Sequence, residues 1–131
     1  MKLKFISAKN NAAKAKATIH KTGKLGFSIE AISFLNLREG LFIRFAQNEE
    51  DENDLNLYAQ LINEDSEESF KIIKAGQYFY VNTKVMFDNL GEKYADKKII
   101  YDIVKIEIEG EEILKLIRRE IKKKKKEVSD K

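Results

Sequence analysis

The sequence predicts a mainly β fold of the α+β kind: a compact antiparallel, barrel-like structure made of two pseudo-symmetric β-β-α-β-β units with two short helices. Three observations predict it. Apolar residues alternate with period two in short runs bounded by Gly, Asn and Asp. The order strand, Gly turn, strand, capped short helix, hairpin is read twice along the chain. Residues 16–37 also align without a gap to residues 69–90 at an offset of 53. Identities fall at Ile19/Ile72, Lys21/Lys74, Gly23/Gly76, Phe34/Phe87, Asn36/Asn89 and Leu37/Leu90.

Residues 1–15 show little period beyond Leu3, Phe5 and Ile6 and read as a short strand or arm. Thr18 to Lys21 is strand-like, Thr22-Gly23-Lys24 is a turn, and Leu25 and Phe27 alternate as a second strand. Ser28 caps a helix over Ile29 to Leu35, with Glu30 in its first turn and Gly40 able to take a left-handed turn after it. Leu41, Ile43 and Phe45 share one strand face; Leu55, Leu57, Ala59 and Leu61 share another. Between them, Glu49 to Asp54 is an exposed acidic hairpin loop. Phe70 to Lys74 and Gln77 to Val81 form the strands of the second unit, and Asn82 caps a helix that stops at Gly91. Lys98 to Glu109 is a long strand that Gly110 turns into Ile113 to Ile117. The units are residues 16–62 and 63–117; residues 118–131 are a lysine-rich tail, expected to be disordered or a frayed helix. The gapless alignment predicts burial of Leu25, Phe27, Ile32 and Leu37, and of their counterparts Tyr78, Tyr80, Val85 and Leu90.

The 131 residues contain no Cys, one His and no Pro. Disulfides, thiolate zinc sites and cysteine catalysis are therefore excluded, and so is a multi-His metal centre. His20 has no acid beside it in sequence and reads as structural or solvated rather than catalytic. Gly23-Lys24-Leu25-Gly26 has the form of a GxxG loop that clamps a nucleic-acid backbone, but its flanks alternate as strands, so it reads as a turn. An EF-hand starting at Asp51 would need Gly at Asn56 and Glu at Ile62 and has neither. No catalytic constellation, cofactor motif or apolar span of membrane length is present, so neither an enzyme nor a cofactor is expected. The first residues lack the apolar stretch of a secretory signal, and a cytoplasmic location is expected.

The net charge of +3 hides segregation: residues 1–48 carry +7, residues 49–70 carry −9 and residues 111–131 carry +4. Such separation suits an anionic partner, nucleic acid first. Lys14, Lys16, Lys21, Lys24 and Arg44 are the candidate phosphate contacts, and Lys71 and Lys74 a weaker second patch. Tyr78, Phe79 and Tyr80 are candidates for stacking on bases. The alternative is a non-catalytic interaction or scaffold module that meets a protein partner through Glu49 to Asp54. No membrane partner is expected, and either a monomer or a homodimer.

Each unit resembles the AbrB/MazE/SpoVT group of swapped-hairpin regulators. The resemblance rests on Gly23-Lys24, Leu25-Gly26-Phe27-Ser28, Leu35-Asn36-Leu37, Glu39-Gly40 and the hairpin over residues 41–61. Lys24 stands where the group carries Arg, Ser28 where it carries Pro, and Gln77 where the second unit would carry a basic residue. Two such units in one chain are similar to the tandem MraZ arrangement. The resemblance implies a bacterial DNA-binding regulator.

Overall fold

The computed structural model describes residues 1–6 and 14–122. Its elements are β1 (Lys16–Ile19), β2 (Leu25–Phe27), α1 (Ile29–Leu35), β3 (Phe42–Ala46), β4 (Leu57–Ile62), β5 (Ser69–Ala75), β6 (Tyr78–Val81), α2 (Lys84–Asn89), β7 (Lys97–Ile108) and β8 (Glu111–Lys122). The strands close into one barrel in the order β1-β2-β6-β5-β3-β4-β8-β7. Every neighbouring pair is antiparallel. Closure leaves no long unpaired edge around the barrel wall. Exchanging the first four strands for the last four maps this set of pairings onto itself. The β2–β6 and β4–β8 ladders lie on the pseudo-twofold axis, and the two units are topologically equivalent.

The inward residues fill the barrel. Ala17, Leu25, Ile43, Ile72, Val81, Ile99, Tyr101 and Leu116 are all essentially inaccessible. Ala31 and Leu35 of α1 and Phe87 of α2 join the same core. Phe87 stacks on Tyr101 with ring centroids 6.3 Å apart. Ser28 caps α1 as expected, its hydroxyl accepting from the Ala31 N–H at 3.1 Å. It also accepts from the Lys16 N–H at 3.0 Å, which ties the helix start to β1. The helix ends one residue beyond Leu35, where Asn36 adopts a left-handed conformation (φ 52°). Gly40 then takes the left-handed turn that leads into β3.

The structure departs from expectation in four places, the first in the second unit. Leu25, Phe27 and Leu37 are buried and Ile32 is half-buried against the core. Of the counterparts, however, Tyr78, Val85 and Leu90 are exposed and Tyr80 is half-buried; Phe79, Val81 and Phe87 are the inward residues. The cause is a difference in hairpin length. The inward pair Ile19–Leu25 lies six positions apart in the chain, and its counterpart Ile72–Val81 lies nine apart. Three extra residues, an odd number, flip every side chain of β6 relative to a gapless alignment. Second, Asn82 does not cap α2. Thr83 holds the N-cap position, and its buried hydroxyl donates to the Gly23 carbonyl at 2.9 Å instead. Third, Leu55 precedes β4 and is exposed. Fourth, the chain from Arg118 to Lys122 is strand, not tail: β8 pairs with β7 as far as Lys122 opposite Lys97. The remainder of the tail lies outside the described residues.

Arg118 accounts for that extension. It points inward at one end of the barrel, and its guanidinium grips Glu92 through two bonds of 2.7 and 2.6 Å. Tyr101 donates to the same carboxylate at 3.3 Å, and the Arg118 N–H donates to Asn56 at 2.9 Å. The Glu92 carboxylate raises the guanidinium's affinity for its proton, so the pair stays charged.

Candidate nucleic-acid interface

The barrel wall has two chemically different halves. Strands β1, β2, β6 and β5 are consecutive neighbours. Residues 14–29 and 69–87, which build these four strands and their turns, contain no Asp or Glu. The first stretch carries Lys14, Lys16, Lys21 and Lys24; the second carries Lys71, Lys74 and Lys84. The opposite half carries both signs: Asp102, Glu107, Glu111, Glu112 and Glu120 stand on its strands among eight Lys and Arg residues, and the acidic loops lie beside it. This separation is a property of the closed topology, because β1 and β5 are more than 45 residues apart in the chain.

The centre of the basic half is an aromatic cluster laid over a glycine. Gly26 faces outward between Thr18 of β1 and Tyr80 of β6. A Cβ there would meet the Tyr78 hydroxyl at 1.9 Å and His20 Nε2 at 2.2 Å. The missing side chain is what lets these groups meet over the backbone. The Tyr78 hydroxyl and His20 Nε2 are hydrogen-bonded. The His20 ring stands edge-on to Tyr78 at 5.9 Å, and Tyr78 stacks on Tyr80 at 5.8 Å and 22°. Lys24 Nζ lies over the Tyr80 ring, 4.6 Å from its centroid. Desolvation under Tyr78, then repulsion from Lys24, lowers the His20 pKa below its usual 6.5. Although the residue as a whole is exposed, its Nε2 edge is covered. Desolvation also raises the Tyr78 phenol pKa, with a smaller contribution from Tyr80. Phe79, the third candidate for stacking, points into the core and is not part of this surface.

The structure brings most of the candidate cations onto this half. Lys21 and Lys24 lie in the β1–β2 turn, which Gly23 (φ 86°) closes against the start of α2. Lys16 lies on β1 opposite Asp102, and Lys71 on β5 opposite Phe42. Lys74 sits near the end of β5 and Lys14 just before β1, both exposed. Among the described residues, no carboxylate pairs with any of these six. Lys84 is paired with Asp88 at 2.7 Å. Arg44 stands apart. It lies on β3 with its guanidinium on Gln60 at 3.1 and 2.6 Å and on Glu68 at 3.5 Å.

Outside this half, the acidic segment over residues 49–54 is internally bonded. Asp54 accepts from Tyr58 at 2.6 Å, from Asn48 at 3.1 Å and from the Asn56 N–H at 3.0 Å. These bonds, the Tyr58 one first, lower its pKa. Asn48 and Asp51 close tight turns onto Glu50 and Asn53, each at 3.0 Å. Among the described residues, no group of three His, Cys, Asp or Glu side chains is arranged to hold a metal ion. No helix among them is long and apolar enough to cross a membrane. Comparison with family models, with curated proteins and with solved structures finds no match.

Proposed function

We propose that this protein is a non-catalytic nucleic-acid-binding barrel that holds the phosphate backbone on its β1-β2-β6-β5 half. The observation that carries the reading is the carboxylate-free stretch of wall with unpaired lysines around an exposed aromatic cluster. A polyanion meets no carboxylate on these four strands, and each ammonium that displaces a condensed counterion adds affinity. Lys21, Lys24, Lys16 and Lys71 are the contacts, with Lys14 and Lys74 at the rim. Arg44, held by Gln60 and Glu68, contributes least.

The Tyr78–Tyr80 pair gives the same surface a place for bases. Tyr78 stacks on the Tyr80 ring, and the Lys24 ammonium also lies over that ring. A base that stacks on Tyr80 takes the place of Lys24 and releases that ammonium to the adjacent phosphate. Stacking of this kind contributes about 1–3 kcal/mol per base and tolerates any sequence. The resemblance of each unit to the AbrB/MazE/SpoVT group supports the same ligand class.

The test is a salt titration of binding to random single-stranded and duplex DNA. On a duplex, four phosphate contacts give a slope of log affinity against log salt of about −3.6. Replacing both Tyr78 and Tyr80 by Ala should weaken single-strand binding more than duplex binding. Failure to bind any nucleic acid at low salt would favour the second reading, a protein-interaction module. That reading has one observation of its own, the ordered acidic segment over residues 49–54.

A further inference from the structure

On the opposite half of the wall, the β7–β8 hairpin runs past the barrel. Its ladder continues to Ile108 opposite Glu111, while β4 meets β8 only from Leu114 to Leu116. A groove of about 680 Å³ opens between the outer face of this hairpin, strand β4 and the loop after β3. Ile106, Ile108 and Ile113 form its apolar wall, and Phe45 also lines it. Glu49, Glu50, Glu68, Glu109 and Glu111 rim it, against Arg44 and Lys115. Arg44 is already bonded to Gln60 and Glu68. The groove therefore offers isoleucines framed by excess negative charge.

The chain carries a segment of matching chemistry. Met1-Lys2-Leu3-Lys4-Phe5-Ile6 alternates apolar and cationic residues. In a single chain it is uncovered: Leu3 is 70%, Phe5 87% and Ile6 84% exposed. An extended segment of this pattern turns Met1, Leu3 and Phe5 to one side and Lys2 and Lys4 to the other. One side fits the isoleucine wall and the other the glutamate rim. Large apolar residues left in water are a recurrent mark of an interaction site.

We propose that residues Met1 to Ile6 of a second copy occupy this groove, and that two chains exchange these segments reciprocally to form a homodimer. Leu3 and Phe5 pack against Ile106, Ile108 and Ile113, and Lys2 and Lys4 meet Glu49, Glu50, Glu109 and Glu111. The exchange is isologous, so each dimer fills both grooves and leaves no segment uncovered. The site lies across the barrel from the basic half, so it stands or falls separately from nucleic-acid binding.

The absence of native cysteine makes the test direct. One chain carries Phe5→Cys, and a second, larger by a tag, carries Ile108→Cys. Oxidation of the mixture should give a disulfide-linked species of one tagged and one untagged chain. Sedimentation equilibrium of the wild-type chain at high micromolar concentration should give the dimer mass, and L3S/F5S the monomer mass. Both substituted residues are solvent-exposed, so the variant keeps its fold. A monomeric wild type, or a dimer that persists in L3S/F5S, would overturn the proposal. So would an F5C/I108C chain that closes its disulfide only within itself.

Discussion

Gly26 decides whether His20, Tyr78 and Tyr80 form a cluster or three separate side chains. Its φ is ordinary; what it supplies is close approach, since a methyl group there would fall 1.9 Å from the Tyr78 hydroxyl. The clash is with the tips of flexible side chains, so Gly26→Ala should cost the fold no more than the low end of about 1–3 kcal/mol. It should nevertheless separate Tyr78 from His20. The check is the His20 imidazole titration followed by NMR, which should return toward 6.5 in the variant. A second prediction follows from the same shift. Well above pH 6.5 neither folded nor unfolded His20 carries the extra proton. Below it the unfolded chain binds that proton more readily, so stability falls as the pH drops toward the lower folded value. His20→Gln should remove that part of the acid dependence in urea unfolding curves measured between pH 5 and 7. None of this could be read from the sequence. His20 and Tyr78 are 58 residues apart, and Gly26 looks like an ordinary strand glycine.

At the scale of elements, the readable parts were those whose alternation is bounded by turn residues. β3 and β4 emerged with the correct inward faces because Leu41, Ile43, Leu57 and Ala59 leave no other choice of side. In β6 the aromatic run Tyr78-Phe79-Tyr80 is apolar on both faces, so parity depended on hairpin length. An alignment anchored on Gly23 and Gly76 could not supply that. β8 past Ile117 was hidden for a different reason. Arg118 and Arg119 look like the start of a cationic tail until their partners, Glu92 and Asp102, are placed beside them in space. The Arg118–Glu92 pair is 12% and 14% exposed. Arg118→Met would leave the Glu92 carboxylate without its cation at the barrel end. The expected cost is about 3 kcal/mol, seen as a lower urea midpoint with an unchanged slope. Adding Glu92→Gln should recover part of it. Tyr58→Phe removes the main bond holding Asp54 and should raise that carboxyl's pKa, which an NMR titration of the side-chain carboxyl would read.

At the scale of the whole molecule, the sequence shows charge segregation along the chain, and folding turns it into one carboxylate-free half of the barrel wall and one half of mixed charge. The candidate lysines were legible as a class because basic residues cluster at 14–24 and 71–74. That they share one side of the wall depends on β2 pairing with β6, which joins segments from the two units. Arg44 could not be separated from them by composition, since only its contacts with Gln60 and Glu68 set it apart. Polyanion binding, as proposed, belongs to one half of the wall. The most direct measurement compares two double variants in the same salt titration on duplex DNA: K21A/K24A in the basic half and R44A/K115A in the other. K21A/K24A should flatten the slope by roughly two units, two contacts at about 0.9 each, while R44A/K115A should leave it unchanged. Equal flattening by both pairs, or a slope that K21A/K24A does not alter, would contradict it.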